Sequence, residues 1–67
     1  MEWTPINKVW PDRGELPDNF IDVLISMEDE VYMAFRHYDW WFVYGVGRDY
    51  DIEAADAWME KPKPYKG

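Results

Sequence analysis

The chain contains no cysteine, and among its 67 residues there is one histidine, one serine and one threonine. Without cysteine there is no disulfide framework, no thiolate zinc site and no cysteine nucleophile, and a cytoplasmic compartment is the simplest expectation. A nucleophile, a base and an orienting group would have to be assembled from the single copies of Ser26, Thr4 and His37, which argues against a catalytic triad. One histidine offers no metal site by itself, so neither an enzyme nor a metal centre is expected, and no cofactor. Basic residues are also scarce, with seven Lys and Arg against fourteen Asp and Glu and a net charge of -7. That balance opposes direct contact with nucleic acid or anionic membranes, both of which need clustered Lys and Arg. It favours a basic surface on a partner protein instead. Long apolar runs are missing too. "FIDVLI" and "WWFVYGV" are far too short to span a bilayer, and Met1, Glu2 and Trp3 do not open a signal region, so a soluble, unprocessed protein is expected.

What the sequence does have is aromatic side chains, 19% of the residues. Acidic disordered chains are poor in such rings, so this chain is expected to fold, as one domain spanning 1–67 and near the lower size limit for a single core. Pro5, Pro11, Gly14 and Pro17 make residues 1–19 an extended arm with turns at "PDRG" and "LPDN". Strands are expected in "FIDVLIS", "VYMAFRH" and "WWFVYGV", which together form a three-stranded antiparallel meander over 20–46. "MEDE" at 27–30 and Tyr38 with Asp39 supply its two turns. In the middle strand, Val31, Met33 and Phe35 are the expected core face. The stretch 47–67 reads as an acidic loop and a proline-rich tail, in which "DIEAADAWM" forms either a helical turn or a short fourth strand. The class is mainly β.

An up-down-up meander places alternate loops at the same end of the sheet. The pattern therefore predicts an acidic pole of Glu28, Asp29, Glu30, Asp49, Asp51 and Glu53, opposed only by Arg48. Such a pole either keeps the protein soluble or presents carboxylates as phosphate surrogates to Lys and Arg of a partner. The alternative contact surface is aromatic, with Trp10, Trp41 and Tyr65 as candidates. The run "YDWWFVYG" holds five rings at positions 38–44, and it reads mainly as a core strand whose two ring-bearing faces need two covers. Trp3 with the arm is expected on one side and Trp58 on the other.

Other motifs carry less. "DYDIEAADAWME" has acids at positions 1, 3, 5 and 12, as in a calcium loop, but Ala54 stands where the sharp turn requires glycine. Gly45 and Gly47 give a "GVG" with no further phosphate-cradling residues. A nucleic-acid stacking platform would need cations between the rings, and Asp39 sits there instead.

Read in order, Trp3, "LP" at 16–17, "DVLIS" at 22–26, "VYMAF" at 31–35, the Trp40 and Trp41 pair and "AWMEKPKP" at 57–64 resemble the small phage and prophage proteins grouped as domain of unknown function 551. Trp58, Met59, Pro62 and Pro64 match the closing His-Trp-Met-Pro-Leu-Pro of that pattern, whereas Ala57 replaces its His and Glu60 and Lys61 replace Pro and Leu. The resemblance implies a phage or mobile-element origin, action in the host cytoplasm and a small antiparallel sheet. It supplies no activity; by class-level analogy with small, acidic, cysteine-free phage proteins, the expected function is inhibition of a host nucleic-acid-binding complex, of the anti-CRISPR or anti-restriction type, as a DNA mimic. The alternative is an accessory or structural phage protein that binds a protein partner through exposed aromatics, with the acids only solubilising.

Overall fold

In a computed structural model, which describes residues 2–8 and 14–62, the chain forms six strands joined in one antiparallel sheet. In chain order these are β1 Thr4–Pro5, β2 Asp22–Met27, β3 Glu30–His37, β4 Trp40–Val43, β5 Arg48–Asp51 and β6 Ala57–Glu60, with one 3₁₀ turn at Ile52–Ala54. Their order across the sheet is β1-β6-β2-β3-β4-β5. The expected meander is therefore present but is part of a larger sheet. It gains β5 as a fourth strand at one edge, and β6 with β1 at the other.

β5 was invisible to a pattern search because "RDYD" is polar, and only its pairing with β4 makes it a strand. "DIEAADAWM" contains a helical turn and a strand in succession, the 3₁₀ turn and then β6. The turn carries the chain from one edge of the sheet, beneath one face, to the free side of β2. On the way Ile52 and Ala55 are buried. Asp56 N–H donates to the Ser26 carbonyl, and the Asp56 carbonyl accepts from Ile6 N–H.

The buried face consists of Val23, Ile25 and Met27 from β2, Ala34 from β3, and Trp41 and Val43 from β4. Its cover is Ile6, Leu16, Ile52 and Ala55, so the arm and the crossing segment both lie on this one side. Trp58 is on this side as well, with its indole N–H donating to the Glu15 carbonyl. The expectation of two covers, one from the arm and one from Trp58, is thus corrected to one cover. Trp3 is 40% exposed.

The facing of β3 is corrected too. Register pairs Val23 with Ala34 and Ala34 with Val43, which places Ala34 between two valines inside the sheet's covered face. Side chains alternate along a strand, so Val31, Met33 and Phe35 must point the other way. Val31 and Met33 are exposed. Ala34 and Trp41 belong to the same buried cluster.

Two tight turns set these registers. Glu28 and Asp29 both have positive φ, the signature of a type I′ hairpin turn, although neither is glycine or asparagine. Between β3 and β4 only Tyr38 has positive φ, the sign pattern of a II′ turn, whose first position ordinarily holds glycine. Among the described residues no helix is long and apolar enough to cross a membrane.

Candidate functional site: the open aromatic face

Alternation along the strands determines what the uncovered side of the sheet displays. Reading across it, one row is Met59, Leu24 and Met33, of which Met59 is buried and only Met33 exposed, and the next is Asp22, Phe35, Phe42 and Asp49. A third row is His37, Trp40 and Asp51. The rings make a contiguous cluster. Phe35 stacks on Phe42 at 5.3 Å between centroids, and Tyr44 lies against both at 5.7 Å. Phe20 adjoins Phe35 at 5.9 Å and meets Tyr38 edge-on at 6.2 Å.

Two of these rings are displayed at a conformational cost. Phe20 and Tyr38 sit at φ 63° and 59°, a region that bulky residues rarely occupy, yet they are 62% and 67% exposed. Arg36 holds the region together. Its Nε donates to the Pro17 carbonyl at 2.7 Å, its Nη1 donates to the Tyr38 carbonyl at 3.0 Å, and its own carbonyl accepts from Phe20 N–H. Asn19 Oδ1 accepts from Tyr38 N–H at 2.7 Å. The arm and the β3–β4 turn are thus clamped so that Phe20 and Tyr38 stand side by side. Backbone strain of this kind concentrates at functional surfaces, because only surrounding structure can maintain it.

Carboxylates flank the rings. Tyr44 O–H donates to Asp22 Oδ1 at 2.9 Å, and this hydrogen bond, followed by desolvation, raises the tyrosine pKa above its ordinary 10.0. At the other flank His37 Nε2 is 3.2 Å from Asp49 Oδ1. The register assigns no Lys or Arg to this side among the described strand residues. Arg48 lies over the Tyr50 ring at 4.8 Å, and both belong to the opposite face.

The acidic pole does not assemble. Glu28, Asp29 and Glu30 stand at the β2–β3 turn, whereas β5 runs back along β4 and carries Asp49 and Asp51 towards His37, with Glu53 following in the 3₁₀ turn. Asp49 is level with Phe35 and Asp51 with His37, which at about 3.3 Å per residue sets them roughly 16 Å and roughly 23 Å along the sheet from Glu30. Residues 48–51 fold into a strand rather than a loop at the turn end, and that pairing is what moves the acids. Glu30 accepts from Tyr32 O–H at 3.0 Å, and this bond is the main cause of a raised tyrosine pKa there.

The aromatic candidates also change. Trp41 is fully buried and cannot contact a partner, while Trp10 and Tyr65 lie outside the described residues. The exposed rings among the described residues are Phe20, Tyr38, Trp40 and Tyr44, with Trp3 apart from them in the arm. The legible signal for them was that the third strand is apolar on both sides, so one side had to remain open unless a second layer existed. Ser26 and His37 lie at opposite ends of the sheet. No carboxylate is buried and no group of three His, Asp or Glu gathers as a metal site among the described residues.

In comparison with known proteins, no family model, no curated protein and no solved structure matches this chain. The likeness to domain of unknown function 551 therefore stays a likeness of motif order.

Proposed function

We propose that the chain is a non-enzymatic interaction protein that docks on a basic surface of a partner protein through the open aromatic face. The observation that carries this reading is the exposure of Phe20, Tyr38 and Tyr44, joined through Phe35 in one ring cluster, with Trp40 exposed on the same side of the sheet. Single exposed apolar residues are ordinary, but a connected patch with a polar rim is the anatomy of a binding surface. Aromatic anchors supply affinity, and the surrounding carboxylates steer the encounter and select against acidic partners. The resemblance to small phage proteins suggests a host nucleic-acid-binding complex as the partner class, which is an argument by analogy.

A charge-led reading has one observation in its favour, the net charge of -7. In that reading the carboxylates act as a DNA-mimicking surface and the rings are incidental. The two readings are separated by capturing such a complex from host lysate with defined variants. Trp40→Ala combined with Phe20→Ser is expected to abolish capture, and Glu28→Lys combined with Asp29→Lys to preserve it. The reverse result, with strong loss of capture in high salt, would replace the aromatic reading by the charge-led one.

A further inference from the structure

Strands β4 and β5 set two ring-and-carboxylate pairs side by side on the open face, Trp40 opposite Asp51 and Phe42 opposite Asp49. Side chains opposed in this way have Cβ atoms about 4.5–5.5 Å apart. Trp40 is 46% exposed, the Asp49 side chain is 49% exposed, and Asp51 is exposed. An open cleft runs along this edge, with Trp40, Asp49, Asp51 and Glu53 in its lining. The cleft's own cation, Arg48, is engaged by Tyr50 on the opposite face. Asp51 occupies the N-cap position of the 3₁₀ turn but makes no side-chain cap bond, so its carboxylate is not spent on the turn.

We infer that these two pairs form a receptor for an extended segment of a partner protein that carries arginine at alternate positions, Arg-x-Arg. The inference rests on the docking face proposed above and specifies what that face takes. A guanidinium stacks flat on an aromatic ring and at the same time donates to a neighbouring carboxylate. Trp40 with Asp51 offers both openly, while in the second pair Phe42 is half-buried against Phe35 and Asp49 keeps Oδ2 for the guanidinium, its Oδ1 facing His37 Nε2 at 3.2 Å. Same-side residues of an extended strand recur every ~6.6 Å, so Trp40 and Phe42 present the same spacing as alternate residues of a partner strand laid along them. Lysine is the poorer fit, because its ammonium neither stacks nor bonds in a planar fork. An acidic segment is repelled by Asp49, Asp51 and Glu53. Charge complementarity thus chooses the occupant. The opposite face of β5 already holds one such contact within the chain, Arg48 on Tyr50.

The test is titration of the intact, ¹⁵N-labelled protein with four synthetic peptides in low salt at pH 7.5. The first contains Arg-Val-Arg, the second Arg-Val-Val-Arg, the third Lys-Val-Lys, and the fourth Phe-Val-Phe with no charge. The expected result is perturbation centred on the Trp40 indole and the amides of Asp49 and Asp51 by the first peptide, with affinity about fivefold or more above the second and third. Asp49→Asn with Asp51→Asn should weaken that binding about tenfold and leave the Trp41 indole resonance unmoved, which shows the fold intact. If Phe-Val-Phe binds this face as well as Arg-Val-Arg does, the arginine inference falls and the docking reading stands. If none of the four perturbs the face, both fall.

Discussion

Trp41 donates its indole N–H to the carbonyl of Ile52 at 3.0 Å in the interior of the protein. The bond joins the centre of the meander to the segment that crosses beneath it, and it satisfies the only polar atom of the largest fully buried side chain. Five of the buried residues in the same cluster, Val23, Ile25, Ala34, Val43 and Ala55, are no more than 1% exposed.

Trp41→Phe keeps most of the ring but removes the donor and leaves the Ile52 carbonyl unpaired, so it should cost about 1–3 kcal/mol. Trp41→Ala adds a large cavity and should cost about 3–5 kcal/mol, enough to unfold a domain of this size. Trp40→Ala, one residue away on the open side, should cost less than about 1 kcal/mol. Urea unfolding of the three variants compares them. Equal losses at 40 and 41 would contradict the assignment of faces.

The β2–β3 turn holds Glu28 and Asp29 at φ 53° and 62°. Replacing them together with Asn-Gly should raise stability by about 1–2 kcal/mol, because that pair adopts the I′ conformation without strain. The same change removes two carboxylates from the turn and should leave partner binding unaltered. Thermal unfolding and the capture assay measure the two effects on one variant.

Tyr38→Gly should make the protein slightly more stable, by up to about 1 kcal/mol, and a weaker binder. Glycine relieves the positive φ, and the hydrogen bonds from Arg36 and to Asn19 use Tyr38 backbone atoms that glycine retains. Improved stability with unchanged capture would mean that the exposed ring has no role.

Arg36→Met preserves the apolar stem and removes the donors to Pro17 and Tyr38. Loss of charge-assisted bonds should cost about 1.5–3 kcal/mol. Faster amide exchange should appear at Phe20 and Tyr38 before the rest of the sheet. Arg36→Lys should not restore protection, since one ammonium cannot reproduce the fork that reaches both carbonyls.

Asp22→Asn should bring the Tyr44 pKa down towards 10.0, as its largest cause is the hydrogen bond to Asp22. Because the folded value is raised, the neutral phenol is the favoured form. The bond contributes fully below pH 10 and is lost as pH rises through the folded pKa. Tyrosine ring-carbon NMR titration of the two proteins reads the difference directly.

Strands 20–26, 31–37 and the first part of 40–46 were legible because β-branched and aromatic residues cluster there between polar turns. β3 misled, since both of its sides carry apolar residues and the more apolar one faces outward. A strand of that kind does not encode its own facing; its neighbours' register does. The acidic triads were legible as residues but not as a place, because their separation depends on whether 48–51 pairs with β4.

The sequence by itself determined the class, the central hairpins, the absence of disulfide stapling and the negative charge. These follow from residue types and short-range periodicity, which act over a few positions. The tertiary structure alone decided that Trp41 is inside and Trp40 outside, that the arm and Trp58 share one face, and that the other face stays open with its rings beside Asp49 and Asp51. Those outcomes depend on strand pairing beyond the local pattern, including pairs far apart in the chain such as Ile25 with Trp58 and Pro5 with Ala57. Each pairing selects one of two facings that local sequence leaves nearly equal in energy, and only the whole sheet, closing over a single small core, breaks the tie.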